Sequence, residues 1–166
     1  MATTSSQKAK VTLPADRQIL ITREFDAPKE LVYKAFTTPE LVRRWWAGKR
    51  GEVTLAEIDL RVGGRWRYVM DCPGGLVVAF HGEYREIVPN ERIVSTEVYE
   101  GAPVPDPEAA GTVNTATFTE SDGRTLVEVL VDCPSREVRD AIIDSGMEGG
   151  MQEAMDLLEE VARSLR

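Results

Sequence analysis

The sequence predicts an α+β domain in which a curved antiparallel sheet wraps around a long C-terminal helix. Three observations predict it. Stretches of period-two apolar alternation, separated by turn residues, run from residue 17 to 25 and again from 52 to 131. Two short helix signals stand together after the first of these strands. From Met147 to Leu165 an apolar stripe keeps helical spacing, and the sheet is the only large surface on which it can be buried.

Residues 1–15 are rich in Thr, Ser and Lys and end near Pro14, which reads as a disordered leader before a single domain over 16–166. Ile19, Ile21 and Phe25 alternate in the first strand, 17–25. Pro28 then suits a first helical position, where its missing N–H costs nothing, and Leu31, Val32, Ala35 and Phe36 form a helical stripe over 28–36. Thr38-Pro39-Glu40 repeats the start signal for a helix over 39–46. In 52–61 the apolar phase changes at Ala56-Glu57, where a β-bulge is expected. Gly63-Gly64, Pro73-Gly74-Gly75 and Pro89-Asn90 punctuate the following strands, and Asp122-Gly123 is a strong hairpin signal. Residues 100–111, with three prolines and two glycines, read as a long mobile loop. Ser135 caps a helix ending near Gly146, and the long helix follows.

The chain of 166 residues carries 20 Lys and Arg against 28 Asp and Glu, a net charge of −8. Phosphate binding needs clustered cations, so nucleic acid and anionic membrane surfaces are not expected partners. No apolar run reaches the length of a membrane span, and the polar first residues contain no secretory signal, so a cytoplasmic location is expected. Cys72 and Cys133 are isolated and read as reduced thiols. With one histidine and two separated cysteines, no metal site and no cofactor are expected. A homodimer is compatible with the sequence.

Several strings follow one another in a fixed order: Phe25-Asp26-Ala27-Pro28, Leu31 to Phe36, Thr38-Pro39-Glu40-Leu41, Trp45-Trp46, Asp59 to Trp66, His81-Gly82-Glu83-Tyr84, Glu86 to Val94, and Gly146-Met147-Glu148-Gly149-Gly150. Together they resemble the family named after the activator of heat-shock protein 90 ATPase, within the START-like (SRPBCC) superfamily, over residues 17–165. The resemblance implies the helix-grip fold and an elongated apolar cavity between sheet and long helix. It also raises a chaperone partner, although a fold shared by many functions does not by itself imply one.

The expected role is therefore binding of a small, largely apolar molecule, a lipid or aromatic metabolite, in that cavity. Trp66, Tyr68 and Met70 share one strand face, and Met147, Met151 and Met155 share one helix face. These two sets hold four of the five methionines, and methionine adapts to irregular cavities; a packed core is the plainer reading. Trp45, Trp46 and Phe80 complete the apolar candidates, with Glu57, Tyr84 and Thr96 as polar ones. If Phe80 and Tyr84 face the cavity, His81 faces away. Arg67 has the opposite parity to Trp66. No nucleophile, base and oxyanion set is visible, so no catalytic residue is assigned. A cyclase or isomerase working through Tyr84, Glu57 or His81 is the alternative, supported if two or more ionisable groups converge in the cavity. Gly146, Gly149 and Gly150 are expected to leave space beside the cavity, to permit close packing, or to break the helix.

Overall fold

A computed structural model describes residues 8–102 and 104–166. It contains one eight-stranded antiparallel sheet and four helices. In chain order these are β1 (Lys10–Thr12), β2 (Gln18–Phe25), α1 (Lys29–Thr37), α2 (Pro39–Trp45), β3 (Glu52–Ile58), β4 (Arg65–Cys72), β5 (Leu76–Val88), β6 (Arg92–Tyr99), β7 (Thr112–Ser121), β8 (Arg124–Asp132), α3 (Arg136–Asp144) and α4 (Met147–Ser164). The strand order is β1-β2-β8-β7-β6-β5-β4-β3. The helix-grip architecture read from the sequence is the one observed.

The register fixes which side chains face α4. Residues paired across a rung point to the same side, so Ile19, Ile21, Arg23 and Phe25 of β2 share a face with Val131, Val129, Val127 and Thr125 of β8. Continuing across the sheet, that inner face takes Asn114, Ala116 and Phe118, then Ile93, Ser95 and Glu97, then Phe80, Gly82 and Tyr84, and finally Trp66, Tyr68 and Met70. α4 closes over it with Ala154, Met155, Leu158, Val161 and Ala162, all buried.

An ionic anchor holds the helix there. Arg23, 2% exposed, brings Nη1 to 3.0 Å from Asp156 Oδ1 and donates from Nη2 to Glu159 Oε1 at 3.3 Å. Its guanidinium lies 4.9 Å from the centre of the Phe25 ring, and its Nε has no acceptor among the described residues.

The structure departs from the sequence expectations at three places. The stretch read as a disordered leader contains β1, which pairs with β2 from Lys10 opposite Thr22 to Thr12 opposite Leu20. Ala9 is buried and exchanges two hydrogen bonds with the Gln152 side chain on α4, so long-range partners compensate for weak local patterning. Residues 1–7 lie outside the described residues.

The bulge of β3 is at Thr54 rather than Ala56-Glu57: Val53 pairs with Met70 and Leu55 with Val69, leaving Thr54 as the extra residue. The loop after β6 is partly ordered by a single 3-10 turn, Pro107–Ala110, whose Glu108 N–H donates to the capping Asp106 side chain. Pro103 lies outside the described residues.

The glycines around α4 do not border a cavity. Gly146 breaks the chain between α3 and α4 with a positive φ of 82°. Gly149 and Gly150 instead lie under the Arg50 side chain, which pairs with Glu153. A Cβ on Gly150 would meet only Arg50 atoms, at 3.5 Å and beyond, an ordinary contact. Gly150→Ala is accordingly expected to stabilise the protein by about 0.5–1 kcal/mol, read as a rise in Tm.

Candidate ligand-binding cleft

The inner interface is more deeply buried at one end of α4 than at the other. From Ala154 onward the helix stripe is buried, whereas Met147 and Met151 are only half-buried. On the sheet, Phe80, Ser95, Glu97, Asn114, Ala116 and Val129 all face inward and yet keep partial exposure. Trp66, Tyr68 and Tyr84 beside them are buried.

Aromatic side chains build one wall. The Trp66 and Tyr68 rings lie 4.7 Å apart, and Trp46 from the end of α2 packs edge-on against both Tyr68, at 5.3 Å, and Phe80, at 5.5 Å. The Trp66 indole N–H donates to the Thr96 carbonyl at 3.1 Å, passing over Gly82. Any side chain on Gly82 would overlap that carbonyl oxygen, so this glycine is what allows Trp66 to lie flat on β5.

The same sheet face becomes polar on the neighbouring strands. Glu97 sits level with Gly82, between the rungs pairing Phe80 with Tyr99 and Tyr84 with Ser95. Asn114 Nδ2 donates to Glu97 Oε1 at 3.0 Å, and Thr112 Oγ1 donates to Asn114 Oδ1 at 2.9 Å, which fixes the amide orientation. Burial pushes the Glu97 carboxyl up, against the opposing pull of the Asn114 amide. Burial likewise pushes the Tyr68 and Tyr84 hydroxyls up, and the two phenols feel one another; Glu97 raises Tyr68 further. Two tyrosines and a carboxyl therefore converge on the inner face of the sheet.

Of the residues singled out from the sequence, Trp46, Trp66, Tyr68, Phe80, Tyr84, Met147, Met151 and Met155 belong to or pack against the hydrophobic core, with Met155 buried, whereas Met70 is half-buried opposite Val53 on the inner side of β4 and outside that cluster. Trp45 does not line the cleft: it is buried in the core, donates its indole N–H to the Ala35 carbonyl at 2.9 Å and packs on Phe36. Glu57 and Thr96 are on the outer face. With the bulge at Thr54, Ala56 and Ile58 point inward and Glu57 outward. Thr96 alternates with Ser95 and Glu97, and its Oγ1 accepts the Glu83 N–H. Glu97, Asn114 and Thr112 were missed because acid and amide residues in a strand ordinarily signal a solvated face.

His81 and Arg67 also face outward, paired with each other across β4 and β5. Arg67 makes two hydrogen bonds to Glu100, at 2.8 and 2.9 Å, and His81 Nδ1 lies 2.8 Å from Glu100 Oε2 while its Nε2 lies 3.2 Å from Glu108. This ladder ties the loop after β6 to the outer face, where the loop roofs a polar concavity of about 270 Å³ containing Arg65, Arg85 and Thr96. The loop therefore does not gate the inner cleft from this position. A second concavity, about 310 Å³, runs along the acidic flank of α4 beside Lys49. Neither lies between sheet and helix.

The Arg67 hydrogen bonds, with His81 adding and partial burial opposing, hold the Glu100 carboxyl down at about 2. A depressed carboxyl stabilises the fold at pH values above its unfolded range near ~4.3, and that contribution is lost as pH falls toward about 2. Glu100→Gln should lower stability at about pH 7 by no more than ~1 kcal/mol, given solvent screening. Melting both proteins across the acid range should show the difference shrinking below about pH 4; a constant difference contradicts the ladder.

No helix among the described residues is long and apolar enough to cross a membrane. No group of three or more His, Cys, Asp or Glu among them is arranged to hold a metal ion, and both cysteines are free thiols.

Comparison with known proteins agrees with this architecture. A protein from Rhodobacter sphaeroides is similar in structure, with a TM-score of 0.85 and 24% identity, covering 95% of this chain and 99% of that one. Protein Ms6760 from Mycobacterium smegmatis has a TM-score of 0.80 and 25% identity, covering 92% and 94%. A protein from Arthrobacter aurescens has a TM-score of 0.81 and 24% identity, covering 93% and 91%. No curated protein matches the sequence. Residues 26–163 match the family described as Activator of Hsp90 ATPase homolog 1-like protein, whose fold supports ligand binding in general. The chain belongs to that family.

Proposed function

We propose that the protein binds a small, largely apolar molecule carrying one polar group, between the inner face of the sheet and the N-terminal half of α4. The observation that carries this reading is the row of inward-facing side chains left partly open: Phe80, Ser95, Glu97, Asn114 and Ala116 on the sheet, Met147 and Met151 on the helix. A purely structural interface has little reason to keep a carboxyl, an amide and two phenols beside an aromatic wall. Trp46 and the two methionines fill the remaining space with side chains able to move aside, so the guest enlarges a small hollow rather than entering a ready-made one.

The test is a panel of fatty acids, alkyl alcohols and amines and aromatic metabolites, followed by thermal shift and by fluorescence of Trp46 and Trp66. At least one apolar class is expected to raise Tm and change the emission, and Met151→Trp, which fills the opening, is expected to abolish both effects. Failure of every class to stabilise the protein refutes the reading.

A second reading draws on the convergence of Tyr68, Tyr84 and Glu97, which supports acid–base chemistry of the cyclase or isomerase kind on the same guest. Its signature is turnover lost in Tyr84→Phe while binding remains. The family description alone suggests a chaperone partner, and no surface described above favours it.

A further inference from the structure

Glu97 is an acid in an unusual place. It faces inward from β6, it is packed among protein atoms while keeping partial exposure, and among the described residues no cation is paired with it. The inward-facing cation identified on the sheet, Arg23, is already engaged by Asp156 and Glu159. The cations nearest in sequence along the neighbouring strands, Arg65, Arg67 and Arg85, belong to the outer face. What Glu97 does have is a positioning device: Thr112 orients Asn114, and Asn114 donates to Oε1. A device that holds a carboxylate oxygen in one direction leaves the second oxygen to meet a guest.

We infer that the ligand of this cleft carries a basic nitrogen, and that its ammonium group pairs with Glu97 beside the aromatic wall of Trp66 and Tyr68. This rests on the binding reading above and names its substrate class. A ligand carboxylate would enter a site with no free cation among the described residues and one acid already present. A neutral alcohol would satisfy hydrogen bonds but leave the Glu97 charge uncompensated. An ammonium compensates it, and aromatic faces attract organic cations. If Glu97 holds a proton in the free protein, that proton leaves to solvent as the ammonium arrives, so the bound pair is neutral overall. The net charge of −8 also favours the approach of a cation.

The experiment compares dodecylamine, dodecanol and dodecanoate, each below its micellar concentration and at about 0.15 M salt, which screens adventitious pairing with the acidic surface. Tryptophan fluorescence reports binding to the native protein and to Glu97→Gln. The amine should bind the native protein about tenfold or more tighter than the alcohol, and dodecanoate weakest. In Glu97→Gln the amine should fall to roughly the affinity of the alcohol, with the alcohol unchanged. Equal affinities of the three for the native protein, or an amine preference that survives in Glu97→Gln, overturn the inference while leaving the binding reading standing. Binding of none of the three also overturns the inference, and the binding reading is then decided by the wider panel. The native comparison decides the matter even if the variant does not fold.

Discussion

Arg23→Ala is expected to be among the most destabilising single substitutions in the chain. The substitution leaves Glu159, whose side chain is 12% exposed and also accepts the Asp26 N–H at 2.9 Å, without its cation beneath α4. Breaking a buried ion pair from one side costs about 3–5 kcal/mol, because the remaining charge is stranded. For a domain of this size the loss amounts to a fall in Tm on the order of 10 °C, measurable by thermal denaturation. Asp156, half exposed, contributes far less to this penalty and Asp156→Ala should be mild. A loss below about 1 kcal/mol for Arg23→Ala contradicts the view that this arginine anchors the helix. The anchor ties the C-terminal half of α4 to β2, the half whose stripe is the more deeply buried.

Gly82→Ala is the second large effect. A Cβ there would overlap the Thr96 carbonyl oxygen and come 2.5 Å from Trp66 Nε1. Backbone on one side and a buried indole on the other leave no cheap relaxation, and overpacking of this kind costs on the order of 3 kcal/mol or more. Trp66 should lose its hydrogen bond to Thr96 and its emission should shift to longer wavelength. Unchanged emission and unchanged Tm contradict the close approach. The contrast with Gly150→Ala is informative, since that helix glycine meets only the movable end of Arg50 and substitution should stabilise.

The architecture was legible because its signals are local and repeated. Alternation marked the core-facing residues of the sheet, Pro28 and Pro39 marked the two short helices, and Asp122-Gly123 adopts the positive φ pair, 54° and 76°, that its hairpin needs. The family resemblance, carried by eight short strings in order, is matched over residues 26–163. Errors arose where a non-local partner decided the outcome. β1 is short and polar and exists through pairing with β2 and through Gln152. The bulge fell at Thr54 rather than two residues later, because apolar phase alone marks where the alternation changes and not which residue is unpaired.

The candidate site was legible only in part. The aromatic and methionine sets mark apolar faces through periodicity, and all but Met70 belong to or pack against one hydrophobic core. Glu97 and Asn114 carry the polar side of the cleft and look in the sequence like any solvated strand residues. Parity against Ile93 and Ser95 was the one available signal for them: β6 must turn Ile93 inward, which turns Glu97 inward as well. The same parity argument removes Thr96 from the cleft. Trp45 and Trp46 are neighbours with different fates, because successive residues at the end of α2 point about 100° apart.

The proposed binding requires a hollow that opens between the sheet and the first half of α4. Its most direct test is methyl NMR of the protein labelled at methionine, titrated with whichever apolar ligand the panel identifies. The signals of Met147 and Met151 should shift saturably and together, Met155 less, since it is buried beneath the closed part of the helix. Saturable binding that leaves Met147 and Met151 unmoved would place the guest elsewhere on the molecule and contradict the account.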